Sequence, residues 1–200
     1  MGVDLKKLSH LILFVGLLPT VSLWLAGFDK YIPNLPWWID KPTPLVIYGL
    51  LFILFDIYLW KINIFRFFGV VTVPNLEGRW EGKHVSSHKE NGLNTEVPGA
   101  LEIDQTFSKI SFRAYFPESK SKKVIASFGN EGDNQYLYYT YDSEIAVKSK
   151  EKMKNHLGTA KVEYVESGKS KKLKGTYFNS AGNTGDMEYL FSSKQLKHDL

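Results

Sequence analysis

The chain has 200 residues, 44% of them hydrophobic and 23% charged, with a formal net charge of +4 and a mean hydropathy of −0.20. An aromatic content of 14% and only 8 prolines exclude a wholly disordered protein, which could not bury enough surface to offset its ordering entropy. The absence of cysteine excludes a disulfide scaffold, an iron–sulfur cluster, a thiol nucleophile and any Cys-based zinc site. Charge is unevenly spread: ten Lys, Arg, Asp and Glu fall in residues 1–72 and 36 in residues 73–200. The second part carries nineteen basic and seventeen acidic residues, an excess too small to argue for DNA binding.

Residues 8–28 contain no Lys, Arg, Asp or Glu. At about 1.5 Å per residue a helix of that length spans the roughly 30 Å hydrocarbon core of a bilayer. Lys6 and Lys7 precede it as in a signal peptide, but the run is long and no small-x-small cleavage site follows. Pro44 to Trp60 is apolar at 14 of 17 positions with one charge, Asp56, and continues to about residue 63. Between the two runs, Pro33, Pro36, Pro42 and Pro44 stop helices, and Tyr31, Trp37 and Trp38 suit a headgroup interface. Residues 1–72 therefore read as a two-helix transmembrane hairpin with an interfacial linker, its spans at about 8–28 and 44–63. Lys6, Lys7, Lys61 and Arg66 at its ends, against Lys30 and Lys41 in its loop, place both ends in the cytoplasm by the positive-inside rule. An ionised Asp56 within a span costs several kcal/mol unless protonated, paired or facing water. It marks either an intramembrane assembly site or a carboxylate that reaches Lys61 at the interface.

From Val73 the pattern changes to short alternating runs broken by Gly, Asn, Ser and Lys clusters, the rhythm of an all-β domain over residues 73–200. Eight strands are predicted: Leu76 to Ser86, Ala100 to Phe107, Lys109 to Phe116, Val124 to Gly129, Gln135 to Tyr141, Gly158 to Glu166, Lys171 to Phe178 and Asp186 to Phe191. The fold class is thus two transmembrane α-helices followed by an eight-stranded antiparallel up-and-down β-barrel, with a two-sheet sandwich as the alternative. Alternation turns Trp80, Gly82 and His84 inward and Arg79, Glu81 and Lys83 outward. Phe107, Phe116, Val124 and Phe128 also fall in inward rows, as do Tyr139, Tyr141, Tyr164, Tyr177 and Tyr189.

An interior with several tyrosines, a Trp, a His and a Gln is more polar than a filled core needs. Such groups stack a base and hydrogen-bond its edge. Tyr139, Tyr141, Tyr164, Tyr177 and Tyr189 are the candidate ligand contacts, with Arg113 as a guanidinium able to clamp a phosphate from an outward position. Lysines gather at 120–123, 148–154 and 169–174, as a solvated surface, as phosphate contacts or as an anionic-leaflet docking site. The turn Asn179 to Gly185 offers backbone N–H groups to an anion. No catalytic signature or metal-ligand spacing is present in the sequence, which argues for binding without turnover and for no metal or catalytic cofactor.

Two closely spaced apolar spans, then Pro74, Leu76, Gly78, Trp80 and Gly82 in a P-x-L-x-G-x-W-x-G run, then a strand-rich domain, resemble the CD-NTase-associated β-barrel effectors of bacterial CBASS antiphage defence. The resemblance implies an inner-membrane effector whose cytoplasmic barrel senses a cyclic dinucleotide made by a partner nucleotidyltransferase. Self-association and membrane disruption would follow, with Asp56 and Asn63 as interhelical polar contacts. The five motif positions read as strand framework and carry no ligand contact. A membrane-anchored, lipocalin-like carrier of an apolar ligand and a structural membrane protein with a filled barrel are the alternatives.

Overall fold

The computed structural model describes residues 12–27, 44–90, 93–132, 134–146, 149, 154–168 and 170–199. They fall into two compact units, one of residues 1–72 together with Thr106–Ser108, the other of Val73–Gln105 and Lys109–Leu200.

The second unit is a closed barrel of eight strands: β1 (Gly78–Glu90), β2 (Leu93–Gln105), β3 (Ile110–Tyr115), β4 (Ser119–Glu131), β5 (Asn134–Ile145), β6 (His156–Ser167), β7 (Ser170–Asn179) and β8 (Thr184–Ser193). Each pairs antiparallel with the next, and β8 closes on β1. The expected eight-stranded up-and-down barrel is the observed one. β4 begins five residues earlier than its apolar run because Ser119 and Ser121 continue the inward row while Lys120 and Lys122 point to water. Charges on the outer row do not interrupt a strand in a barrel, which has no edge to protect.

The interior is packed by Leu76, Trp80, Ile103, Phe112, Leu137, Val162, Leu173 and Tyr189, among others. The barrel has two ends. At the near end, where β1 begins, Gln105 fixes the incoming backbone. Its amide accepts from Leu76 N at 2.8 Å and donates to Pro74 O at 3.0 Å, while Trp80 Nε1 donates to Leu76 O at 2.8 Å. The leading Leu76 and the strand residue Trp80 thereby stopper this end, and both are fully buried.

Two inward assignments are corrected. Val124 is 58% exposed because the β4–β5 register slips between Lys123 and Ile125, making it the extra residue of a β-bulge, which leaves the alternation. Phe107 lies beyond the end of β2 and belongs to the helical unit. A third residue, Arg79, does face outward, yet it is only 2% exposed. Its guanidinium holds Glu102 at 2.9 Å and Glu81 at 2.8 Å and donates to the carbonyl of Asp199 at 2.7 Å. Residues 194–199 form a strap over this pair, Lys197 N and His198 N both donating to Glu102 Oε1 at 2.7 and 3.0 Å.

In the helical unit, α1 (Leu18–Ala26) follows a π-helical turn at Ile12–Leu17, and α2 (Pro44–Ile57) gives way to a 3-10 turn at Leu59–Lys61 and the short α3 (Asn63–Phe67). The second apolar run is therefore not one continuous helix. The 14 residues of α2 extend about 21 Å. Among the described residues no helix is long and apolar enough to cross a membrane. Thr20 and Ser22 return their hydroxyls to Gly16 O and Pro19 O, each at 2.7 Å. Phe55, 1% exposed, is ringed by Phe14, Phe65 and Phe107 at 5.1–5.5 Å. Phe107 N donates to the Asp56 carbonyl at 2.9 Å, and Ser108 N to the Asp56 carboxylate at 2.7 Å. A carbonyl left unpaired by the end of α2 is thus satisfied.

Burial would raise the Glu102 carboxyl, but the N–H groups of Lys197 and His198 and the Arg79 guanidinium outweigh it and hold the pKa below the ordinary value. The stabilisation it supplies is present above about pH 4.5 and is lost as pH falls through the lowered pKa. Glu102→Gln is expected to cost roughly 3 kcal/mol at pH 7, the low end for breaking a buried pair, because a single strap covers it. Urea unfolding at pH 7 and pH 3.5 should show that loss shrinking in acid; an equal loss at both would remove the carboxylate's role.

Candidate functional site

The far end of the barrel, where β1 ends and β2 begins, carries the aromatic residues. Tyr141 on β5 lies opposite Gly158 on β6, and Tyr177 on β7 opposite Gly185 on β8. A Cβ on Gly158 would meet the Tyr141 ring at 2.2 Å, and one on Gly185 the Tyr177 ring at 2.7 Å. Phe116, just beyond β3, is seated in the same way on Gly99, where a Cβ would come within 2.6 Å. Three rings therefore rest on three bare stretches of strand. Aromatic cover over glycine is a known means of firming a sheet, and here it also brings ring faces into the lumen.

His84 on β1 packs against two of them. Its imidazole stacks on Tyr177 with centroids 5.0 Å apart and planes 29° apart, and meets Phe116 at 4.8 Å. Nε2 shares a 2.6 Å hydrogen bond with the Tyr189 hydroxyl. Burial holds the His84 pKa down at about 4, so the ring is neutral at physiological pH. Burial likewise pushes the hydroxyls of Tyr139, Tyr141 and Tyr189 above the ordinary phenol range, with neighbouring tyrosines adding to the effect. These groups are uncharged, flat and able to hydrogen-bond, which suits the edge and face of a nucleobase.

The candidate tyrosines do not all meet here. Tyr141, Tyr177 and Tyr189 belong to the far-end cluster. Tyr139 lies deeper, its ring 4.2 Å from Phe112, 6.1 Å from Tyr141, and its hydroxyl 3.5 Å from Met187 Sδ. Tyr164 is at the near end, edge-on to Trp80 at 6.4 Å with its hydroxyl donating to Glu166 at 2.6 Å. Arg113 is exposed on the outer face, opposite Glu102 and Lys122, with Nη1 3.4 Å from His198 Nδ1. Asp56 is held by Ser108, and Asn63 is exposed at the start of α3. His84 and Phe116 were legible as inward residues, but only the register shows them converging with Tyr177.

Strand direction sorts the lysine clusters. β4 starts at the far end, so Lys120 and Lys122 lie there, Lys122 paired to Glu144 at 2.7 Å. Lys154 precedes β6 at the same end, whereas Lys148, Lys150 and Lys152 lie outside the described residues. Lys171 and Lys172 are in the near-end hairpin, paired with Glu166 at 3.7 Å and Glu188 at 2.6 Å. In the far-end turn, Asn179 Oδ1 already accepts from Ala181 N and Asn183 N at 3.1 Å, so those two N–H groups serve the turn itself. A groove of about 660 Å³ runs over the outer face of β5–β8 and β1, lined by Lys83, Tyr136, Lys161, Lys174 and Glu188, with Lys161 Nζ 4.3 Å above the Tyr136 ring.

Residues 71–190 match the family model described as Cap15, cyclic dinucleotide receptor domain. The chain is 33% identical over 137 residues to CD-NTase-associated protein 15 of Yersinia aleksiciae, a span covering 68% of this chain and 62% of that protein. The match thus spans under two thirds of that relative's length. With the protein of the same name from Staphylococcus schleiferi it is 24% identical over 192 residues, covering 90% of this chain and 95% of that one. Secretory abundant heat soluble protein 4 of Ramazzottius varieornatus aligns at a TM-score of 0.30 and 16% identity over 61% of this chain and 98% of that one, a likeness too slight to bear on fold or function. The matched residues take in every ring of the far-end cluster, from His84 to Tyr189, and the chain belongs to the Cap15 cyclic dinucleotide receptor domain family.

Proposed function

We propose that the barrel is the receptor for a cyclic dinucleotide in a CBASS antiphage system, and that a base of the ligand docks at the far-end cluster of His84, Phe116, Tyr141, Tyr177 and Tyr189. The observation that carries this reading is the seating of Tyr177 and Phe116 on glycines against a neutral imidazole, with Tyr141 seated on Gly158 at the same end, within the residues matched to the receptor family. Every base has a π-face, and stacking on an aromatic side chain contributes about 1–3 kcal/mol per base. The ligand's two phosphates carry charge that the neutral cluster does not meet. Lys120 and Lys154, exposed at the same end, supply the opposite sign. The ligand is a messenger, made by a partner nucleotidyltransferase, and no catalytic residue is assigned.

The output we propose is self-association of the chain and disruption of the bacterial inner membrane, with both ends of the helical hairpin in the cytoplasm. In support, Leu23, Trp24, Leu45 and Leu50 are each more than 60% exposed on α1 and α2, an apolar outer surface that lipid would cover. Asp56 then acts by holding Ser108 within the helical unit, and the assembly role for Asn63 rests on its exposure.

Calorimetry of the full chain in detergent against a panel of cyclic dinucleotides tests the receptor. Tyr177→Ala is expected to raise Kd on the order of tenfold or more with an unchanged far-UV spectrum. A wild-type chain that binds none of the panel, or a variant that binds as tightly, would sink the site. For the output, dye-loaded liposomes carrying the wild-type chain should leak on ligand addition. Asp56→Leu should reduce leakage at saturating ligand while Kd is unchanged; equal leakage would make Asp56 a bystander.

A further inference from the structure

The imidazole of His84 is held as a bound base would be held. It has an aromatic face on one side at 5.0 Å, a second ring at 4.8 Å and a hydroxyl on its edge at 2.6 Å. It is also half-buried at the end of the barrel, where a side chain leaving the cluster enters water. Resting on the receptor reading, we propose that His84 is an internal placeholder: in the free protein its ring fills the slot between Tyr177 and Phe116, and a ligand base displaces it and takes over the Tyr189 hydroxyl. The glycine seats are consistent with this exchange, since Gly185 and Gly99 let Tyr177 and Phe116 stay against the wall while the ring between them is replaced.

Displacement has a proton signature. Among the described residues the titratable groups facing His84 are Tyr177 from β7 and Tyr189 from β8, and burial keeps Tyr189 neutral well beyond pH 8. Phe116 contributes no charge, and burial is the sole cause of the lowered His84 pKa. An expelled imidazole returns from about 4 toward its ordinary value near 6.5, and so takes up a proton in mildly acidic solution. The phosphodiesters stay ionised throughout.

The test is calorimetry of the full chain with cyclic di-AMP, cyclic di-GMP and cyclic di-UMP at pH 5.5 and 7.5, following the tightest binder. Kd is expected to be about tenfold lower at pH 5.5, with close to one proton taken up per ligand. His84→Ala should abolish that dependence and bind more tightly than wild type at pH 7.5, because nothing has to be displaced. His198→Gln, on the outer strap, should keep it. The same Kd at both pH values, or weaker binding by His84→Ala at pH 7.5, overturns the placeholder and leaves the receptor reading standing. No binding by any of the three at either pH overturns both. If His84→Ala does not fold, the His84 ring signal in NMR decides: titration near its ordinary value in the complex supports displacement, and an unchanged low value overturns it.

Discussion

Eight strands closed on themselves leave a lumen that side chains just fill, and that limit governs what this protein can hold. A barrel of this size is either filled by its inward side chains or holds one small ligand among them. Space has to come from positions without a side chain or from side chains that leave. The far end has both: glycines at 99, 158 and 185, and rings stacked on one another with no covalent reason to stay. The near end also has a ring, Phe191, over a bare glycine, Gly78, but there Leu76 is clamped by Gln105 and Trp80 by the Leu76 carbonyl. Hydrogen bonds to the backbone hold the near end, and the far end is where we propose that the ligand enters.

Much of the barrel could be read from alternation alone. Trp80, Ile103, Phe112, Leu137, Val162 and Tyr189 each belong to a row of period two on their own strand, and burial on one face leaves register little freedom. The failures have particular causes. Val124 looks inward in any strict alternation, and only the pairing with β5 shows the slipped register. Arg79 looked like an ordinary outer-row charge, because the strap that buries it with Glu102 comes from more than ninety residues further along the chain. The site was half legible. Tyr177 and Tyr189 were candidates on composition, but stacking with His84 depends on which strand ends meet, a property of topology that no local window contains.

The helical unit shows the opposite balance. Its apolar character was plain from the near absence of charge in residues 8–28, whereas its segmentation was not. α2 stops at Ile57 without a proline or glycine to stop it, and its Asp56 carbonyl is met by Phe107 N, a donor from the β2–β3 connection. Asp56 looked costly as an isolated charge in an apolar run; as an acceptor for Ser108 N it has a backbone partner. The same three residues, Thr106–Ser108, are lost from the barrel and gained by the helices.

Closure of β1 on β8 bears on how the molecule comes into being. Until β8 is in place, β1 and β7 each present an unpaired edge. The pair that seals the cylinder joins residues such as Gly82 and Tyr189, so its loop-closure cost is among the largest in the chain, and contacts of that separation form slowly. Arg79 and Glu102 stay wet through the same interval, because the strap over them follows β8. The nascent barrel is therefore most open to wrong strand pairing at its seam, and the charged pair beneath the strap is the last part of the outer wall to be dried.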